Sequence, residues 1–239
     1  MMARRIYYCW FGATPLPEIV KTYIKTWQKK MPDYEIFEIN ETNFDVKQYL
    51  YAKTAYEAER YAFVSDCARI HFLQKTGGIY LDTDVELRKS LDSLIEDTPF
   101  PIIMSMEYFQ FELTGVSTAV IISNSQQKIW QDLLEIYQKT VFDNKYEPTT
   151  INKYITSLLV QNSLFKYQDI AQNFNYRTDG MIAIVKSTLL MRDNKNAYAV
   201  HHLMGTWKNQ LTFSRKIRRI LGIILKKLIG RSNFEKIWK

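Results

Sequence analysis

Asp82-Thr83-Asp84 is the most chemically loaded short string in the chain. In an extended segment alternate side chains share a face, so the two carboxylates point the same way, about 6.6 Å apart along the backbone. Two hard oxygen donors at a strand end suit Mg²⁺ or Mn²⁺ held jointly with phosphate oxygens. A solvated turn with two acids reads the same, so the flanks decide. Ser65-Asp66-Cys67-Ala68-Arg69 puts Asp66 and Arg69 at i and i+3 on one helix face. That helix stops at Gly77-Gly78, immediately before Ile79-Tyr80-Leu81 and the acidic triplet. A helix and a strand joined so tightly pack side by side, which brings Asp66 and Arg69 toward the cleft of Asp82 and Asp84. An arginine there would meet a diphosphate bidentately.

The elements that must position these residues alternate in type. Arg5 to Phe11 reads as a strand, broken by Gly12 and Pro15-Leu16-Pro17, and Glu18 to Met31 as a helix. Tyr34 to Ile39 is a second strand, and a long helix is expected from about Tyr56 to Lys75, closed by glycine. Ile79–Leu81, Ile102–Met106, Ala119–Ser123, Met181–Val185 and Ala197–Val200 read as core strands, with helices over Ile129–Val141 and Ile151–Gln161. Such alternation predicts an α/β fold, helices flanking a mostly parallel central sheet.

Composition agrees. In 239 residues, 46% are hydrophobic and 24% charged, which excludes a disordered or fibrous chain and fits one domain with an appendage. The division expected is 1–210 for the domain and 211–239 for a tail. Cys9 and Cys67 cannot build a disulfide framework. Neither a secretory leader nor a spanning helix is expected, because no apolar run approaches the about 18 residues required.

The net charge of +7 is concentrated at one end. From Arg215 to Lys239 nine cations face one acid, Glu235, which leaves residues 1–214 at −1. A nucleic-acid reader carries its cations on the folded face, so nucleic acid is not expected as a partner. Ile217, Ile220, Leu221, Ile224, Leu225, Leu228 and Ile229 recur at helical spacing, with Arg218, Arg219, Lys226 and Lys227 on the remaining face. An apolar stripe rimmed by cations predicts a helix lying in an anionic membrane surface. The expected location is cytoplasmic, peripheral on the inner face of the plasma membrane.

Ser65-Asp66, Arg69, Leu73 and Gly77-Gly78-Ile79-Tyr80-Leu81-Asp82-Thr83-Asp84 together resemble the signature of the DXD-containing glycosyltransferases of family 32, relatives of the large clostridial glucosylating toxins. Tyr8-Cys9-Trp10-Phe11-Gly12 with Pro15-Leu16-Pro17 is similar to that family's opening block, and His201-His202 with Thr206-Trp207 to its closing block. The resemblance implies a GT-A fold and a retaining, metal-dependent transfer of a hexose from a nucleotide-sugar, a UDP-sugar by preference, usually with Mn²⁺. The acceptor implied is a lipid-linked oligosaccharide or saccharide in bacterial capsule or surface polysaccharide synthesis.

By matching position, Trp10 would stack on the donor base, with Phe11 and Tyr80 in the donor site. Asp66 and Arg69 would hold the sugar and diphosphate side, Asp82 and Asp84 the metal, and Trp207 would cover the diphosphate. His202 or the Thr206 region would complete the metal shell, although either His201 or His202 fits the pattern. Ser117, Thr150 and Asn152 are acceptor-side candidates, and Thr149 or Thr150 also suits a helix N-cap. Glu107 and Glu112 stand where a reactive carboxylate could sit, but front-face attack within an ion pair is the expected route. Two alternatives share residues with this reading. Asp82-Thr83-Asp84-Val85 also fits the phosphatase motif of haloacid-dehalogenase type, and a toxin-like protein glycosyltransferase would use the same core.

Overall fold

The computed structural model describes residues 2–109, 112–143, 149–162, 172–175 and 181–204. All the elements below lie in one compact unit, Met1–Leu203. The expected boundary at 210, and the tail with Arg218, Arg219, Ile220, Ile224, Lys226 and Lys227, lie outside the described residues.

Strand β1 (Arg5–Cys9) leads through the Pro15–Pro17 segment into helix α1 (Glu18–Lys30) and strand β2 (Glu35–Ile39). A short 3₁₀ turn precedes α2 (Leu50–Glu57) and α3 (Tyr61–Thr76), which runs into β3 (Gly78–Leu81). Then come β4 (Val85–Leu87), α4 (Asp92–Asp97) and the long hairpin β5 (Ile102–Phe109) and β6 (Glu112–Ser123). Helices α5 (Lys128–Lys139) and α6 (Ile151–Asn162) follow, then β7 (Gln172–Asn175), β8 (Met181–Val185), α7 (Ser187–Leu190) and β9 (Ala199–His201).

Seven strands form one sheet in the order β2-β1-β3-β6-β5-β8-β7. Five run the same way; β6 and β7 oppose their neighbours. The expectation of a mostly parallel sheet flanked by helices is met. One face packs against α2, α3, α5 and α6 through Phe63, Val64, Ile70, Leu73, Trp130 and Leu133. The other face is covered by Trp27, Met31, Leu91 and Leu94 of α1 and the α4 region. Alternating strand residues serve the two layers: Tyr80 belongs to the first, Ile79 and Leu81 to the second.

The single helix expected from Tyr56 is two helices. The chain turns between them at Glu59, whose φ is +56°, and Arg60 takes the N-cap position of α3 without a side-chain cap. No glycine or proline marks that break. Gly77, by contrast, closes α3 as the sequence requires. Its φ is +64°, its N–H donates to the Leu73 carbonyl, and a Cβ there would lie 2.7 Å from the Ser123 carbonyl oxygen. The helix-to-strand link therefore tolerates only glycine.

A separate pair, β4 with β9, is antiparallel and sets Val85 opposite His201. Helix α1 anchors it: Trp27 Nε1 donates to the Val85 carbonyl at 2.8 Å, and the Leu87 N–H donates to Thr26 Oγ1 at 3.0 Å. This small ladder carries the end of the unit back to the acidic triplet.

Candidate active site

Strand β3 ends at Leu81, and Asp82 still joins the sheet, its N–H donating to the Ala119 carbonyl of β6. Beyond it Thr83-Asp84 turns the chain into β4. Asp82, Asp84 and His201 each bring a ligand atom to a cluster in which all lie within 4.8 Å of one another. His201 Nε2 is 3.1 Å from Asp84 Oδ1. Burial pulls the His201 imidazole down, but the hydrogen bond to Asp84 and the charges of Asp84, Asp82 and Glu107 outweigh it and raise its pKa. Two carboxylates and an imidazole are a donor set for Mn²⁺ or Mg²⁺ rather than for a thiophilic ion.

Adjacent strand residues face opposite ways, and that separates the two histidines. His201 points at the acids. His202, expected in the metal shell, instead sets Nε2 3.0 Å from Glu86 Oε2 and stacks its ring on Tyr23, with centroids 4.7 Å apart. The His202 N–H donates to the Asp84 carbonyl, so His202 docks β9 while its neighbour enters the cluster. Tyr23 and Glu86 carried no motif signal; only the ladder register reveals them.

Arg69 meets the acids as expected, with its side chain 7% exposed. Nη2 lies 3.1 Å from Asp66 Oδ1, and Nη1 lies 3.1 Å from both Asp82 Oδ1 and the Thr118 carbonyl. Nε donates to the Ser65 carbonyl, and the guanidinium lies over the Tyr80 ring at 4.3 Å. The Tyr80 hydroxyl donates to the same Asp82 Oδ1 at 3.0 Å. Both of these side-chain contacts of Asp82 fall on Oδ1. Asp66 is buried beneath this network with the first amide of α6, at Ile151, donating to it. Burial lifts the Asp66 carboxyl to about 7, against the opposing pull of Arg69.

Several other expected residues are core rather than cleft. Tyr80 is 2% exposed under Arg69, and Phe11 is buried against Phe44. Both rings pack into the helical layer, Tyr80 from strand β3 and Phe11 from the loop after β1. Ser117 is buried, its hydroxyl accepting from the Ala119 amide, and is not an open acceptor-side group. Trp10 is half-buried, with Nε1 donating to the Thr14 carbonyl at 2.6 Å. Thr150 takes the N-cap position of α6, its carbonyl accepting from the Tyr154 amide. Asn152 bridges two groups: Oδ1 accepts from Thr118 Oγ1 at 2.6 Å, and Nδ2 donates to Glu107 Oε2 at 2.8 Å. Thr206, Trp207 and the Glu112 side chain lie outside the described residues.

Residues 17–101 match the family model described as glycosyltransferase sugar-binding region containing DXD motif. The chain is a glycosyltransferase. That match spans the acidic triplet and Arg69, and it sets aside the phosphatase reading of Asp82-Thr83-Asp84-Val85. In solved structures the fold is similar to the PaToxG glycosyltransferase, at 20% identity over 67% of this chain and 69% of that one, with a TM-score of 0.51. Mouse xyloside xylosyltransferase 1 follows at 11% identity, covering 84% of this chain and 98% of that one, TM-score 0.49. GlyE of Streptococcus pneumoniae matches at 14% identity over 68% of this chain but 44% of its own, TM-score 0.43. The fold argument rests on the first of these, and it supports the GT-A arrangement. No curated protein sequence matches the chain significantly.

Proposed function

We propose that this glycosyltransferase moves a hexose from a nucleotide-sugar, foremost a UDP-sugar, to a saccharide or lipid-linked acceptor with retention of configuration. The pathway proposed is bacterial surface polysaccharide synthesis. One arrangement carries the reading: Asp82, Asp84 and His201 converge within 4.8 Å at the end of β3, with both acids inside the matched sugar-binding region.

Asp82, Asp84 and His201 would hold a divalent cation, Mn²⁺ or Mg²⁺. Their fit rests on the donor chemistry and on His201, whose Nδ1 is buried without a described partner, so Nε2 is the nitrogen turned to the acids. Bound there, such a cation supplies charge neutralisation to a departing nucleoside diphosphate. Arg69 acts through Asp82: it fixes the carboxylate that ligates, and Tyr80 shares the task. His202, Glu86 and Tyr23 hold β9 so that His201 stays in reach. Trp10, at the end of β1, is the proposed platform for the donor base, and Trp207 the proposed cover. Front-face attack is the proposed route, with the acceptor hydroxyl entering on the side the diphosphate leaves.

The basic tail is proposed to keep the enzyme at the inner face of the plasma membrane. Among the described residues no helix is long and apolar enough to cross a membrane. A surface helix would suit an enzyme whose acceptor is lipid-linked.

A thermal-shift panel of UDP-, GDP-, CDP- and dTDP-sugars, each with and without Mn²⁺, tests the reading. Ligands that bind only the native state raise its stability. A Mn²⁺-dependent rise confined to one nucleotide class is the expected result. No response to any of them would overturn the proposal.

A further inference from the structure

The chain leaves β1 beside the acidic triplet. Strands β1 and β3 are parallel neighbours with Tyr7 opposite Tyr80, so Trp10 and Thr83 follow at the same end of the sheet. The Trp10 N–H still donates to the Ile39 carbonyl of β2, and its Nε1 donates to the Thr14 carbonyl. The indole is thus fastened to the far side of its own loop, and a shift of the loop moves the ring. That loop is strained. Gly12 has φ +94°, and Ala13, which carries a Cβ, has φ +52°. A residue with a Cβ keeps that left-handed conformation only where its surroundings hold it.

The loop is held from two sides. Glu41 Oε1 accepts from the Gly12 N–H at 2.7 Å and from the Tyr56 hydroxyl at 3.1 Å. The Tyr61 ring lies so close that a Cβ on Gly12 would come within 2.5 Å of it. Glu41 stands on a tightly built turn after β2: Asn40 Oδ1 accepts from the amide and the hydroxyl of Thr42, and Asn43 Oδ1 accepts from the Asn40 amide. Tyr56 lies in the last turn of α2 and Tyr61 opens α3, with ring centroids 5.5 Å apart. In one continuous helix, side chains five residues apart would point about 140° away from each other. The break at Glu59 lets both tyrosines face the loop.

We infer that Glu41 is a positioning residue for donor binding: by latching the Gly12 amide it keeps the Trp10 loop where the indole meets the base of the nucleotide-sugar. This rests on the proposed donor reading, in which Trp10 is the platform. A carboxylate that accepts from a backbone amide makes a charge-assisted bond, roughly twice as strong as a neutral one. When only the latched loop presents the ring, releasing it lowers the apparent affinity by the fraction still latched. The bonds of Glu41 go to the loop and to α2, so it governs the base half of the donor and not the diphosphate half.

The test measures dissociation constants, with Mn²⁺, for inorganic pyrophosphate and for UDP, GDP, CDP and dTDP. The proteins compared are wild type, Glu41→Ala, Glu41→Gln, Trp10→Ala and the double variant. Glu41 is exposed, so its variants should keep the melting temperature. The nucleotide that wild type binds tightest should bind Glu41→Ala at least about threefold more weakly, while pyrophosphate changes less than about twofold. Glu41→Gln still offers Gly12 an accepting oxygen and should recover most of the loss. In the Trp10→Ala background, Glu41→Ala should cost nothing further, because residues acting as one unit are not additive. An unchanged nucleotide affinity in Glu41→Ala, an equal loss for pyrophosphate, or the same loss with and without Trp10 would overturn this inference alone. Wild-type nucleotide affinity in Trp10→Ala would overturn the platform reading and this inference together. Failure of wild type to bind any of the four nucleotides would overturn both along with the nucleotide-sugar reading.

Discussion

Arg69 sets Nη1 3.1 Å from Asp82 Oδ1 while its own side chain is 7% exposed. The cation that the sequence places beside the acidic pair is thus a buried ion-pair partner of both Asp66 and Asp82. Burial lowers the charged form of Arg69, but the charges of Tyr80, Asp82 and Asp66 more than restore it, and its pKa rises.

Removing that cation should cost stability first. Arg69→Met leaves Asp66 and Asp82 without a counter-charge, and breaking a buried ion pair from one side costs about 3–5 kcal/mol. Arg69→Lys should recover part of this, because one ammonium cannot serve two carboxylates and two carbonyls together. Urea unfolding of both variants checks it. A Met variant within about 1 kcal/mol of wild type would contradict the burial of this pair.

The two histidines should separate in metal affinity. His201→Ala removes a ligand and should weaken Mn²⁺ binding by about a hundredfold or more. His202→Phe keeps the stack on Tyr23 and loses only the Glu86 contact, so its loss should stay near the tenfold end of outer-shell effects. Titration with Mn²⁺ by calorimetry distinguishes them; equal losses would contradict the strand-alternation argument.

His71 gives the fold a pH response. It lies in α3 with Nδ1 3.0 Å from the Tyr49 hydroxyl, and burial, assisted by Lys75, lowers its pKa below 6.5. Below that value the unfolded state binds more protons than the native state. Stability should therefore be full above pH 6.5 and fall as pH drops, at no more than about 1.4 kcal/mol per pH unit. Thermal melts of wild type and His71→Gln between pH 7.5 and 5.5 check the sign: the variant should show the shallower slope, and an identical slope would contradict it.

Deleting Arg215–Lys239 should release the protein from vesicles containing anionic lipid. Polybasic contacts contribute about 1 kcal/mol per cation near such a surface, so even partial engagement of the tail would dominate binding. Sedimentation with phosphatidylserine vesicles measures it. Equal binding by the shortened chain would remove the tail from the account.

Much of the site was legible because its residues are consecutive or at helical spacing. Asp82 and Asp84 share a face by strand periodicity, Asp66 and Arg69 by the i, i+3 relation, and Gly77 is forced by a turn no other residue fits. What stayed hidden depends on register and on direction. Which of His201 and His202 lies beside the two acids follows from which of them stands opposite Val85, a pairing 116 positions apart in chain order, as His202 and Glu86 are. Whether Arg69 points to a ligand or to the core depends on Thr118 and Tyr80, residues on other strands. The break between α2 and α3 at Glu59 has no punctuation.

The central claim is that the Asp82–Asp84–His201 cluster makes sugar transfer depend on a divalent cation. Release of free hexose from UDP-glucose, UDP-galactose and GDP-mannose, followed against Mn²⁺ concentration in wild type and Asp84→Asn, tests it most directly. Wild type should be saturable by Mn²⁺ and silenced by chelation, and Asp84→Asn should lose about a thousandfold or more of the rate, as expected when leaving-group stabilisation is removed, with its melting profile retained. Turnover in Asp84→Asn at the wild-type rate, or wild-type turnover indifferent to chelation, would contradict the account.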